Sequence, residues 1–264
     1  PLLLYHFGSY TLLGPLANLV VAPVIPPLMF GGVLVVFASL IHPVLAAWLP
    51  NLLFIAAGVK GFITYNATGG APTSVDTLRP WMAHGWEVVN HGYTHKNIGT
   101  MTDDASIIAE VENNWNAMLA NKLVRPGQVK GFIGPGNGTS PRAKRVLESL
   151  GYKWCRNYKN FVTKVTPYGV DNLLDLGSFG LGNPPNLTRL TDMAEAAYNY
   201  GGSTFLFTHK VYKNTSSTLP PGSVNTGYID DITAVLNNLV AQRDAGKIDL
   251  PTPTEWYNGV MNAN

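Results

Sequence analysis

Charge is absent from the start of this chain of 264 residues. No Asp, Glu, Lys or Arg precedes Lys60, although 18 basic and 16 acidic residues follow, for a net charge of +2. An uncharged apolar stretch of this length excludes a disordered polar tail. A membrane-spanning helix needs about 20 apolar residues, and the stretches 12–30 and 32–57 are long enough. We therefore predict a hydrophobic, membrane-like and mainly helical segment over 1–57, followed by a domain over 58–264. A buried soluble core is the alternative for the first segment.

Other scarce features narrow the function of the second segment. Cys155 is the one cysteine, which excludes an internal disulfide framework and a Cys-rich zinc module. We expect Cys155 to be a small buried side chain. No basic stripe and no Gly-rich phosphate loop occurs, so no nucleic acid partner is expected for 58–264.

Apolar strands alternate with amphipathic helices from residue 58 onward. The predicted strands are 61–65, 86–89, 129–133, 152–155 and 204–207, and the predicted helices are 103–121, 140–150, 189–200 and 229–245. Strand and helix in repeated succession predict a parallel α/β sheet or barrel.

The helix predicted over 103–121 carries the clearest periodicity. Its apolar side chains recur at helical spacing, and Thr102 or Asp103 is placed to cap its first turn. We expect one buried face, made of Ile107, Ile108, Val111, Trp115 and Leu119.

Two histidines follow the apolar strand over 86–89. His91 and His95 are four residues apart, so one turn beyond the strand can direct both imidazoles at a single ion, and neutral imidazole suits zinc. The alternative is that both are polar loop residues at a chance spacing. His209 likewise ends the strand over 204–207 and is a candidate proton donor or acceptor.

These segments, in this order, resemble the polysaccharide deacetylase family of carbohydrate esterases, also called the NodB-homology domain. The similar stretches are GVKGFITYN (58–66), GWEVVNHGYTH (85–95), GFIGPGNG (131–138), FLFTH (205–209) and DLPTPTEWYNGV (249–260). The resemblance covers about 58–260 and implies a distorted (β/α) barrel.

The resemblance also implies roles for individual residues. His91 and His95 would bind zinc or another divalent metal, and His209 would be the catalytic acid. The loop Pro135, Gly136 and Asn137 would bind the substrate by presenting backbone N–H groups to the oxyanion.

The chain departs from the family pattern where an Asp-Asp motif is expected to end the first strand. If residues 35–40 align with that strand, Ala38 and Ser39 replace the carboxylates. If they do not align, the first strand is missing. Asp76 and Asp103 are alternative carboxylates, although each also suits the first turn of a helix.

A second departure concerns the loop that follows the strand over 129–133. The arginine that often accompanies this loop in the family is replaced by Ile133, Gly134 and Pro135. We therefore expect any metal to be bound weakly and catalysis to be impaired.

The N-terminal segment has a resemblance of its own. LYHFGSYTLLGPLANLVVAPVIPPLMFGG, residues 4–32, resembles a transmembrane part of the competence channel family that internalises DNA. The similarity covers about 55 residues and implies membrane contact through 1–57.

The sequence thus predicts a metal-dependent deacetylase-like hydrolase acting on N-acetyl groups of a polysaccharide, in the cell envelope or outside the cell. Such an enzyme cleaves C–N bonds other than peptide bonds. The alternatives are a non-catalytic glycan-binding pseudoenzyme and a membrane fragment of a DNA-uptake channel.

Overall fold

The computed structural model describes residues 58–69, 74–159, 173–181, 186–209, 211–212 and 227–262. All of them fall in one compact unit, Leu53–Asn264. The two membrane spans predicted over 12–30 and 32–57 lie outside the described residues. Among the described helices, none combines the length and the apolar character needed to cross a bilayer.

Six parallel strands form one sheet in chain order. The strands are β1 (Phe62–Tyr65), β2 (Glu87–Asn90), β3 (Gly131–Ile133), β4 (Trp154–Lys159), β5 (Leu176–Gly180) and β6 (Phe205–Phe207). A short parallel pair, β7 (Val211–Tyr212) and β8 (Gly227–Tyr228), stands apart from this sheet. The helices are α1 (Val75–Ala83), α2 (Asp104–Ala120), α3 (Pro141–Ser149), α4 (Leu187–Tyr200), α5 (Ile229–Asp244) and α6 (Pro253–Asn262).

Local sequence signals explain where the helices begin. Asp103 caps α2 by accepting the Ser106 N–H, and Ser140 caps α3 by accepting the Ala143 N–H. Both caps match the predicted helix starts, since short polar side chains satisfy the unpaired N–H groups of the first turn. Asp103 therefore has the structural role that was the alternative to a metal ligand.

The buried face of α2 differs from the predicted one. Ile108 and Leu119 are 40% and 50% exposed, so their assignment to the core was wrong. Glu110, Asn114 and Met118 are buried instead. The apolar spacing was correct for a helix, but the polar residues Glu110 and Asn114 turn inward because loops and strands offer them hydrogen-bond partners.

The sheet is strongly curled. Strands lie about 4.8 Å apart, so a flat sheet would place β1 and β6 roughly 24 Å apart. The rings of Phe62 in β1 and Phe205 in β6 nevertheless pack edge to face with centroids 5.7 Å apart. The two edge strands therefore face each other across an interior, and the predicted distorted (β/α) barrel is confirmed. The residues assigned to a degenerate first strand lie outside the described ranges.

The barrel interior is filled by one residue from each strand. This cluster consists of Phe62, Val89, Ile133, Trp154, Leu176 and Phe205, with Trp256 and Tyr257 of α6 packed against it. Side chains two positions apart in a strand point to the same face. The next inward positions therefore lie nearer the carboxyl ends of the strands, and we call them the mouth layer: Thr64, His91, Pro135, Arg156, Ser178 and Phe207.

Candidate active site

His91 lies directly after β2, in the mouth layer. Its Nδ1 lies 2.7 Å from the carbonyl oxygen of Ile133, and because a carbonyl oxygen can only accept, Nδ1 carries the proton and Nε2 has a lone pair. The pKa of His91 is lowered to about 4, mainly by burial and also by the charges of His95, Arg156 and His209, while the hydrogen bond to Ile133 acts to raise it. His91 is therefore a neutral imidazole at pH 7.

Buried amides fix the end of β2 that carries His91. Asn90 donates to the carbonyl of Val111 at 2.8 Å and to the Tyr152 hydroxyl at 2.7 Å. Its own carbonyl accepts the N–H of Gly92 and the amide of Asn114. Because every polar group of the Asn90 side chain is used, the direction in which the chain leaves the strand is set.

Glu110 of α2 holds the loop that carries His95. Its carboxylate accepts the N–H and hydroxyl of Thr94 at 2.8 and 2.7 Å and the N–H of Lys96 at 3.1 Å. His95 lies between these contacts with a φ of 61°, a conformation that non-glycine residues seldom adopt. Gly92, with a φ of 81°, leaves room for Glu110, because a Cβ there would lie 2.6 Å from its Oε1.

The two candidate metal ligands are brought together. The rings of His91 and His95 have centroids 4.8 Å apart at 74°. Two imidazoles sharing one ion at about 2.0–2.1 Å per bond would have centroids at about this separation.

The set of donors for a metal is nevertheless incomplete. In the described part of the chain, no group of three or more His, Cys, Asp and Glu is placed to hold a metal ion. Asp76 is 95% exposed in the first turn of α1 and is paired with Arg79, and Asp103 caps α2. The guanidinium of Arg156 adds a positive charge close to His91. These residues do not complete the set of three protein ligands that a catalytic zinc site uses.

His209 lies just after β6, at the same mouth of the barrel. Its ring centroid is 5.8 Å from that of Phe207, and its charge contributes to lowering the pKa of His91. All three histidines therefore gather at one end of the barrel, as the strand-end positions predicted. Their catalytic and metal-binding roles stay predictions.

The loop Pro135–Asn137 forms a single 3-10 turn directly after β3. Proline has no N–H, and the Asn137 N–H donates to the Gly134 carbonyl at 3.0 Å. Gly136 is therefore the one residue of the three whose N–H could face an oxyanion. Gly136 and Asn137 both have positive φ, 63° and 56°, and the side chain of Asn97 packs against Gly136.

Arg156 is the site residue that the sequence analysis missed. It lies on β4 opposite Ile133 in the sheet register and is 6% exposed. Its Nη1 donates to the Asn137 side-chain oxygen and to the Ser178 hydroxyl, the latter at 3.4 Å. Arg156 thus reaches the loop after β3 from the neighbouring strand.

Family comparisons match each end of the chain separately. Residues 56–155 match the family model described as polysaccharide deacetylase, and residues 1–88 match the model described as competence protein. Both resemblances are confirmed. The deacetylase match includes β1 to β3 and the candidate metal ligands His91 and His95. No curated protein matches the chain.

Solved structures with similar folds share little sequence with this domain. A CE4 family pseudoenzyme from Bacillus anthracis is 14% identical, with a TM-score of 0.45 over 80% of this chain and 60% of that chain. A family 4 carbohydrate esterase from Streptomyces lividans, in complex with acetate, is 13% identical, with a TM-score of 0.43 over 74% and 79%. A family 4 acetyl xylan esterase from Clostridium thermocellum, in complex with a cobalt ion, is 16% identical, with a TM-score of 0.43 over 78% and 80%.

Proposed function

We propose that residues 58–264 form a polysaccharide-deacetylase-like domain that binds an N-acetylated glycan and hydrolyses its acetamide poorly. The observation that carries the proposal is the gathering of His91, His95 and His209 at one barrel mouth. His91 and His95 lie in the segment that the deacetylase family model matches. The poor hydrolysis follows from the missing third ligand among the described residues and from the absence of any acidic residue before Asp76.

The described side chains suit binding and orientation of an acyl group. The Nε2 of His91 has a lone pair, so it can accept a hydrogen bond from an acetamide N–H. The N–H of Gly136 is the loop donor that can face the carbonyl oxygen. His209 is exposed at the rim, where it can donate a proton to a leaving amine. The mouth layer contains no carboxylate that could act as the general base for the attacking water.

Because the described residues offer no third ligand, zinc should bind weakly. Two imidazoles supply fewer bonds than a complete catalytic site, which uses three protein ligands. If zinc is a cofactor of this domain, His91 and His95 are the residues that would hold it.

The test uses an N-acetylglucosamine oligomer and the full chain. We expect the oligomer to bind with or without added zinc, and acetate release to be slow even with zinc and to disappear in His91→Ala. The exposed His84, outside the site, provides the matched control, and His84→Ala should behave as the parent. Rapid zinc-dependent release would contradict the impairment, and failure to bind the oligomer under either condition would contradict the proposal.

A second function is favoured for the N-terminal segment by the competence match over 1–88. We propose that 1–57 contacts a membrane and places the glycan-binding domain at the cell envelope or outside the cell. This match supports membrane association, and a membrane fragment of a DNA-uptake channel stays the alternative.

A further inference from the structure

Arg156 is a buried cation whose donors are only partly used. Its Nη1 bonds to Asn137 and Ser178, and its Cζ lies 4.7 Å from the ring centroid of Phe207. Its Nε is buried without a hydrogen-bond partner among the described residues. The Nη2 also has no described partner, but it is not among the buried atoms, so it faces the mouth.

No described carboxylate neutralises this guanidinium. Its contacts are an amide oxygen, a hydroxyl and an aromatic ring, and the other mouth-layer residues, Thr64, His91 and Pro135, are uncharged at pH 7. Asp175, whose partner Asn157 follows Arg156 on β4, already pairs with Lys144 at 2.9 Å. Burial lowers the pKa of Arg156 only to about 10, so it stays charged at neutral pH.

We propose that the mouth layer is a metal-independent binding site for a carboxylate, held by Nη2 of Arg156. The inference rests on the proposed function and narrows it, because the glycan that the domain takes would then carry an acidic sugar. A charge held away from water is costly unless it is paired, and a ligand carboxylate supplies the missing partner. Charge-assisted bonds from arginine to carboxylate are among the strong hydrogen bonds of proteins.

The charge count selects a carboxylate over a phosphate group. Arg156 is the one permanently charged side chain of the mouth layer, so the layer itself balances one negative charge. A phosphate dianion would leave its second negative charge without a permanent cation beside it in a largely buried place. The ligand is therefore expected to be a monoanion, with the rim histidines close to its remaining oxygen.

The probes are D-glucuronate and D-glucose, which differ at the carboxylate. Binding to the full chain is measured by titration calorimetry in the presence of EDTA, with inorganic phosphate as a third probe. We expect glucuronate to bind about tenfold or more tightly than glucose, because hydrogen bonds to charged groups discriminate by at least this factor. Equal binding of the two sugars, no measurable binding of glucuronate, or tighter binding of phosphate would overturn the proposal.

Two variants locate the interaction. Arg156→Gln removes the charge, and Asn137→Asp keeps the shape of the loop while placing a carboxylate on Nη1. Both should weaken glucuronate binding about tenfold or more, whereas His84→Ala should not. Unchanged affinity in Asn137→Asp would overturn the proposal even if Arg156→Gln failed to fold.

The same titrations separate this inference from the proposed function. An N-acetylglucosamine oligomer that binds while glucuronate and glucose are not distinguished would refute the carboxylate site alone. Glucuronate binding of the expected strength, together with no binding of the oligomer, would support the carboxylate site and refute the proposed function.

Discussion

Glu110 is the residue on which the conformation of the histidine loop depends. Its carboxylate accepts two backbone N–H groups and one hydroxyl around His95. Glu110→Ala should lower the free energy of unfolding by about 2 kcal/mol, since donors that lose a partner in a half-buried place cost about 1–3 kcal/mol. Glu110→Gln, which keeps one carbonyl oxygen for the N–H groups, should cost less. Urea unfolding measures both.

Hydrogen exchange separates this local role from general destabilisation. In Glu110→Ala, the amides of Thr94 and Lys96 should exchange faster than amides of the barrel core. Glu148→Ala, on an exposed position of α3, is the control and should change neither stability nor exchange. Unaltered protection of Thr94 and Lys96 would show that Glu110 does not hold the loop.

Glu87 lies at the end of β2 opposite to His91. It makes the free energy of unfolding depend on pH. Burial raises its pKa above the ordinary value of 4.5, against hydrogen bonds from Thr252 and Thr254 that lower it. The folded state thus favours the protonated acid. The contribution of Glu87 to stability is fully present below about pH 4.5 and is lost as the pH rises through the raised folded-state pKa.

Glu87→Gln should remove this dependence, because a neutral amide oxygen still accepts from Thr254. The variant should gain stability relative to the parent as the pH is raised from 4 toward 7. Urea unfolding of both proteins at several pH values measures the difference. A parent that becomes the more stable of the two at pH 7 would contradict a raised pKa for Glu87.

The histidines could be predicted from sequence, whereas Arg156 could not. His91 and His209 each follow a short apolar run, and strand ends meet at one edge of a parallel sheet. The strand containing Arg156 was predicted to end at Cys155, but β4 continues to Lys159. The second half of β4 is polar, so the apolar pattern did not indicate that the strand continues. The inward position of Arg156, two residues after Trp154, was missed for the same reason. Cys155 is fully buried, as expected.

At the scale of elements, α6 closes the amino-terminal end of the barrel. The Thr254 hydroxyl donates to Glu87 at the start of β2 and accepts the Val129 N–H ahead of β3. The Trp256 ring lies 5.6 Å from Phe205 and 6.5 Å from Trp154, measured between centroids. The helix therefore joins three strands and covers the apolar interior.

Trp256→Ala should lower the free energy of unfolding by about 2–4 kcal/mol. Loss of a large aromatic side chain removes apolar burial and leaves a cavity, and the half-buried state of Trp256 places the cost toward the lower part of the usual range. Urea unfolding followed by fluorescence provides the measurement. Tyr200→Ala, at a position 85% exposed, should change the free energy of unfolding by no more than about 0.5 kcal/mol. Equal losses of stability in Trp256→Ala and Tyr200→Ala would exclude the closing role of α6.

Several elements were not among the predicted ones, and β5, α1 and α6 were missed for identifiable reasons. β5 reads Leu-Gly-Ser-Phe-Gly, and glycine is unfavourable in strands unless packing requires it. α1 contains Pro80, and α6 contains Gly259, both poor helix formers. In each case contact with the barrel outweighs local preference. The helices α2 to α5 combine clear periodicity with caps or stops, and their ends were predicted within two residues.

At the scale of the whole molecule, the described residues form an apolar core of four clusters. The proposed division at residue 57 stays a prediction, as does membrane contact through 1–57. The competence match continues to residue 88, while the deacetylase match begins at 56, so the two family assignments overlap across β1 and α1.

Membrane contact can be tested on the intact chain by flotation with phospholipid vesicles. We expect the chain to float with the vesicles and to resist extraction at high salt, because no charge occurs before Lys60. Val35→Arg, in the second predicted span, should reduce the floating fraction, since an arginine at the centre of a membrane helix costs about 2.5–3.5 kcal/mol. Tyr200→Arg adds the same charge at an exposed position of α4 and should float as the parent does. An intact chain that stays in the aqueous fraction, or a Val35→Arg variant that floats undiminished, would show that 1–57 does not enter the bilayer as predicted.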